Sequence, residues 1–149
     1  MIPIPHCLPA LSIVLVCACA GGEAKETART ATGGNPDRGG AAIRRYGCGA
    51  CHVIPGVAGA RGEVGPSLED FGRRAYIAGA LVNAPDNLVL WIRSPQSVEP
   101  GTVMPNLGVT PEDARDIAAY LYALGGGRLG PPRAFDRSVI EHTPGEESR

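Results

Sequence analysis

One short run limits what this chain can become more than any other feature: Cys48-Gly49-Ala50-Cys51-His52. Two thiols three positions apart, followed at once by an imidazole, set a spacing with few chemical uses. A zinc ribbon needs a second pair of ligands, and beyond His52 the chain has no cysteine and only His142. A thioredoxin-like couple needs a strand-helix-strand setting, and no parallel-strand pattern surrounds the run. A structural disulfide is the remaining alternative. The spacing is that of covalent haem attachment, in which each thiol forms a thioether to a porphyrin vinyl group and the imidazole of His52 reaches the iron. The same reading constrains the fold. The chain has one Trp, four Tyr and two Phe, so short helices alone would make a thin core, and a buried porphyrin supplies the missing apolar mass.

The N-terminus points to export. Leu8 to Ala20 is mostly apolar and ends in the small residues Ala18-Cys19-Ala20. That is too short to cross a bilayer comfortably and has the character of a secretory signal over residues 1–20. No Lys or Arg precedes it; only His6 can carry charge there. Three processing routes stand open: cleavage after Ala20, a lipoprotein box at Val16-Cys17-Ala18-Cys19 that would leave a lipidated Cys19 as membrane anchor, or an uncleaved signal anchor. Each places the product outside the cytoplasm, in the periplasm or on the outer face of a bacterial membrane. Cys7, Cys17 and Cys19 then belong to the export segment, leaving Cys48 and Cys51 alone in the functional domain.

Residues 1–19 contain no Asp, Glu, Lys or Arg, so a processed chain keeps 14 basic against 15 acidic residues. That balance argues against a nucleic-acid partner. The length fits one domain. Residues 21–35 are Gly, Ala, Thr and charge and read as a flexible linker. Residues 126–149 carry Gly, Pro and charge with few apolar side chains and read as a disordered tail. The folded unit is expected over 36–125.

Within that unit the pattern is helical, and an all-α fold of about four to five short helices is expected. The clearest helix runs from Pro111 to Leu124: Thr110 is a good N-cap, Pro111 suits the first position, and Glu112 and Asp113 complement the dipole. Ala114, Ile117, Ala118, Leu121 and Leu124 mark one apolar face, and Gly125 ends it. A second helix, with Pro85 near its start, brings Leu88, Trp91 and Ile92 to one side before Pro95 stops it. A third starts around Asn35-Pro36-Asp37 and runs through Ala41, Ala42 and Ile43 to Tyr46, delivering the chain to Cys48. Short helical turns are expected from Ser67 to Gly72 and from Tyr76 to Val82.

A haem iron that only moves electrons needs a second axial ligand, and Met104 is the one thioether besides Met1. A lone methionine is often only a gap-filler. This one lies among Pro100, Gly101 and Pro105, in a rigid loop rather than on an apolar helical face.

Four pieces occur in order: Gly47 to His52, Gly65-Pro66-Ser67-Leu68, Leu88-Val89-Leu90-Trp91-Ile92, and Val103-Met104-Pro105-Asn106-Leu107. The helix containing Asp116 to Leu121 follows. In these the chain resembles a small monohaem class I c-type cytochrome, similar to the cytochrome domains fused to subunit II of bacterial terminal oxidases. The resemblance implies four or five short helices wrapped around one covalent haem c, with Cys48 and Cys51 as thioether anchors, His52 as proximal ligand and Met104 as distal ligand. It implies that the Pro66 carbonyl accepts the imidazole proton, which fixes ring orientation and ligand basicity. It also implies that Trp91 and Arg73 approach the haem propionates, and that Gly39 or Gly40 lets the first helix cross the last near Ile117 and Tyr120. The chain departs from the pattern at Ile43, where many relatives carry an aromatic residue, and at Ala84, where a Thr or Ser cap is common.

The function expected from these residues is one-electron carriage in an extracytoplasmic respiratory chain rather than catalysis. The redox partners are an oxidase, reductase or dehydrogenase. Two alternatives stay open: a haem c subunit of a membrane redox complex, and a ligand-binding haem protein in which Met104 leaves the iron open.

Overall fold

The structure, a computed structural model, describes residues 19–127. The signal-sequence reading of residues 1–18 and most of the C-terminal tail lie outside the described residues. Five α-helices order as α1 (Cys19–Thr32), α2 (Pro36–Arg45), α3 (Pro85–Arg93), α4 (Pro95–Val98) and α5 (Pro111–Leu124). One small hairpin, β1 (Tyr76–Ile77) and β2 (Leu81–Val82), lies between α2 and α3. The fold is mostly α, as expected. No helix among the described residues is long and apolar enough to cross a membrane.

Helix α5 is the central element, because α1, α2 and α3 all pack on it. Its start is as the sequence requires: the Thr110 side chain accepts from the Asp113 N–H, Pro111 opens the first turn, and Glu112 and Asp113 sit at the positive end of the dipole. Ala114, Ile117, Ala118 and Leu121 are buried. So are Asp116, Ala119 and Tyr122, because partners cover α5 on more than one side.

Helix α2 is capped by Asn35, whose side chain accepts from the Asp37 N–H at 2.9 Å, with Pro36 in the first turn. It crosses α5 at backbone contact. A Cβ on Gly39 would fall 2.2 Å from the Asp116 carbonyl oxygen and 2.7 Å from the Tyr120 Cβ, and one on Gly40 would meet the Tyr120 ring at 3.1 Å. Glycine is therefore required at 39, whereas at 40 a larger residue would be tight against the Tyr120 ring. The residues facing the crossing are Asp116 and Tyr120; Ile117, expected in that place, turns to the other side and lines a cleft. The buried Asp116 carboxylate fastens the crossing. It accepts from the Asn35 N–H at 2.6 Å and from Arg38 Nε at 2.6 Å. Burial pushes this carboxyl up, but the bonds from Arg38 and the Asn35 N–H outweigh it and hold it below the usual carboxylate range.

Residues 21–35 are not the linker that composition suggested, because α1 covers most of them. Alanine is too weakly apolar to mark a core face by hydropathy, yet it is the best helix former and the smallest residue that can pack. Ala24 and Ala28, one turn apart, are both buried, Ala28 completely, and α1 packs on α5 through them. A Cβ on Gly127 would meet the Ala24 Cα at 2.9 Å, which measures how closely the segment after α5 approaches α1. The Thr32 hydroxyl donates to the Ala28 carbonyl and accepts from the Gly34 N–H, closing the helix.

Two further expectations change. The turn over Tyr76 to Val82 is an antiparallel hairpin pairing Tyr76 with Val82 and Ile77 with Leu81, not a helical turn. Ala78 and Gly79 both take positive φ, 52° and 74°, which reverses the chain between the strands. The turn expected from Ser67 to Gly72 is a 3-10 turn over Phe71–Arg73. Pro95 does end α3, but it also opens α4. Ala84 makes no side-chain cap; instead Asn87 Nδ2 donates to the Val82 carbonyl at 2.9 Å.

Candidate functional site

A cleft of about 540 Å³ opens between α2, α3, α5 and the two long loops, a size ordinary for a cofactor site. Its walls are mostly apolar, including Ile54, Leu68, Leu88, Ile92, Ile117 and Leu121. Cys48, Cys51, His52, Pro66, Trp91 and Met104 all line it, so six of the seven residues singled out from sequence meet in one place. Arg73 does not. It is exposed, and its neighbour Arg74 lines the cleft instead. The Arg74 guanidinium lies 5.3 Å from the centroid of the Phe71 ring and donates to the Ser67 carbonyl. Nothing in two adjacent arginines tells which faces inward; the Phe71–Arg73 turn decides it.

The segment carrying the thiols and imidazole is tightly built. Gly47 takes φ +70°, which ends the approach from α2 and starts a 3-10 turn over Cys48–Ala50. Cys51 and His52 both donate their N–H groups to the Cys48 carbonyl. Both thiols are free and half-buried, and burial pushes the Cys48 thiol up. A Cβ on Gly65 would sit 2.3 Å from His52 Cε1, and one on Gly62 would sit 2.1 Å from the Ala50 carbonyl oxygen, so both glycines are places where main chain presses on the site.

His52 Nδ1 lies 2.8 Å from the Pro66 carbonyl oxygen. A carbonyl only accepts, so Nδ1 carries the proton and Nε2 keeps its lone pair for another partner. Pro66 is therefore where the sequence expectation put it.

Met104 is half-buried, and both polar atoms of its main chain are held by side chains. Its carbonyl accepts from Gln96 Nε2 at 2.6 Å, and its N–H donates to Thr102 Oγ1 at 3.2 Å. Sequence reasoning missed both partners, because Gln96 sits on the unforeseen α4. It also missed Tyr46, which lines the cleft. The Tyr46 hydroxyl donates to Asp113 Oδ2 at 2.8 Å and accepts from the Thr110 N–H at 3.4 Å. The Tyr46 hydroxyl, with Arg45 beside it, holds the Asp113 carboxyl below the usual range.

The cytochrome c family model matches residues 37–125, and the chain belongs to that family. Two similar proteins are cytochrome c oxidase subunits 2. That of Alkalihalophilus pseudofirmus is 42% identical over 78 residues, 52% of this chain and 22% of the relative. That of Bacillus sp. (strain PS3) is 36% identical over 89 residues, 57% of this chain and 25% of the relative. The chain thus spans about a quarter of the length of these curated relatives. No solved structure matches it. Helix α1 lies outside the matched residues.

Membership of the family implies haem c, and the cleft fits that group. Two free thiols, an imidazole with an available Nε2, and a thioether share one apolar enclosure. Apart from His52, its charged side chains are Arg74 and Glu99, so Arg74 offers one cation to a carboxylate. Among the described residues no cluster of His, Cys, Asp and Glu suits a bare metal ion.

Proposed function

We propose that this chain is a monohaem cytochrome c that moves single electrons in an extracytoplasmic respiratory chain. The observation that carries the reading is the meeting of Cys48, Cys51, His52 and Met104 in one apolar cleft. Cys48 and Cys51 would hold the group covalently, His52 Nε2 and the Met104 thioether would ligate its iron, and haem would supply a one-electron ferric-ferrous couple when bound. The Pro66 carbonyl keeps the His52 proton on Nδ1 and so orients the ring. A thioether on the other side favours the reduced form and raises the potential relative to a bis-histidine site. Arg74 and Trp91 take the propionates, Arg74 standing in the role that the resemblance assigned to Arg73. The apolar walls limit water around the group, and a Met104 thioether on the iron would leave no position for an exogenous ligand.

The similarity to oxidase subunits 2 supports a respiratory oxidase as electron acceptor. It supports equally a chain that works as a fixed haem subunit of such a complex. Export with a lipidated Cys19, or cleavage after Ala20, places the domain on the outer side of the membrane.

A visible spectrum of the purified protein, with and without carbon monoxide, tests the closed site. The ferrous protein is expected to resist carbon monoxide at neutral pH, whereas Met104→Ala binds it rapidly and has a lower potential. Rapid stoichiometric binding by the native protein would make it a ligand-binding haem protein instead. Haem released into acidified organic solvent from the denatured protein would refute covalent attachment. Oxidation of the reduced protein by oxidase-containing membranes is the expected result for the acceptor; exchange with a dehydrogenase alone would move it to another chain.

A further inference from the structure

The loop between α4 and α5 has almost no main-chain support of its own. Over residues 100–109 a single main-chain bond, from the Thr102 N–H to the Glu99 carbonyl at 3.0 Å, stands outside the helices. A loop so sparsely bonded leaves its residues free to drift unless side chains hold them. Side chains hold the Gly101 and Gly108 amides once each, and Met104 is held at both its amide and its carbonyl. Gln96 grips its carbonyl and Thr102 its amide, so both polar main-chain atoms of this one residue are fixed by side chains that precede it in the chain. Gln96 itself is anchored on α4, whose first residue, Pro95, is buried in the core. The contact therefore ties Met104 to a packed element rather than to another part of the loop.

We infer that Gln96 and Thr102 are positioning residues that hold the Met104 main chain so that its thioether stays at the iron. The inference rests on the reading of Met104 as axial ligand. Gln96 acts as a donor, and an ionised glutamate of the same length and packing cannot donate. Thr102 acts as an acceptor, and valine has its shape without the oxygen. Loss of one neutral hydrogen bond shifts a local equilibrium by roughly 2- to 10-fold, so the fraction of molecules with the thioether off the iron rises by about that factor.

The test uses the ferrous holoprotein and carbon monoxide, with Gln96→Glu, Gln96→Ala, Thr102→Val and Met104→Ala beside the native chain. Gln96→Glu and Thr102→Val are each expected to bind carbon monoxide roughly 2- to 10-fold faster than the native protein. The absorption band that marks thioether-ligated ferric iron should weaken in the same variants, while the helical circular dichroism stays native. Native rates and an unchanged band in Gln96→Glu and Thr102→Val would overturn the inference. Acceleration in Gln96→Ala without acceleration in Gln96→Glu would also overturn it, because packing and not donation would be responsible. Met104→Ala separates the two levels: if it too resists carbon monoxide, the ligand reading itself fails, whereas rapid binding there with native behaviour at Gln96 and Thr102 removes only the positioning role.

Discussion

The segment that carries His52 and the loop that carries Met104 end at the same cleft but are held in different ways. Around His52 the main chain binds itself: Gly62 donates to the Gly49 carbonyl at 3.0 Å, Gly65 to Cys51 at 2.8 Å and Leu68 to Val53 at 2.8 Å. Around Met104 the holding groups are side chains: Gln96, Thr102 and, at the far end, Tyr46. Main-chain bonding does not depend on which side chains a segment carries, except at glycines where nothing larger fits. Side-chain bonding changes with every substitution. The His52 side, proximal in the proposed reading, is thus built to stay constant, and on the proposed distal side the hold on Met104 is adjustable without disturbing the Cys48–His52 segment.

That contrast is open to attack in order of expected effect. Gly62→Ala should cost the most, about 3 kcal/mol of unfolding free energy by urea titration, because its Cβ would overlap the Ala50 carbonyl and main chain must move. A cost under about 1 kcal/mol would show the proximal segment to be as yielding as the distal one. Asp116→Asn should come next, at about 2 kcal/mol, since the amide puts an NH2 group where Oδ2 accepts from Arg38 Nε and removes the charge, and Arg38 is partly open to water. Its effect belongs to the α2–α5 crossing, so the redox potential should move little; a large shift in potential would join the crossing to the site.

The same carboxylate predicts an acid limb. Because its pKa in the folded chain lies below the ordinary 3.8, Asp116 stabilises the fold fully above that value and loses the contribution as pH falls through the folded value. Stability measured from pH 5 downward should fall more gently in Asp116→Asn than in the native protein, and parallel curves would contradict the assignment.

Tyr46→Phe removes two bonds at the end of the distal loop and should cost about 1 kcal/mol. It should quicken carbon monoxide binding more than Gly62→Ala does, relative to the stability lost; the reverse order would cancel the distinction between the two sides.

What was legible in the sequence was whatever carries a local signal. Proline at the first turn with an Asn or Thr cap placed α5 to the residue and α2 to within about one residue, and the spacing of Leu88 and Ile92 placed α3. Residue type, spacing and family likeness singled out the Cys48–His52 run, Pro66 and Met104, which the fold brings to one cleft. Other features depend on contacts distant in sequence. Helix α1 has a face of alanine that means nothing until α5 lies against it. The hairpin turns on a positive φ at Ala78, a conformation its residue type does not advertise. Arg74 rather than Arg73 faces the cleft because of a turn whose direction the tertiary fold sets. Gln96 became relevant only when α4 brought it to the Met104 carbonyl.

Helix α1 leaves no slack between Cys19 and the rest of the domain. Its 14 residues form a strut of about 21 Å fastened along α5, not a string. A tether at residue 19, if the chain carries one, would therefore hold the cleft at a distance set by this strut rather than by a flexible string, and would limit how far the domain travels to a redox partner.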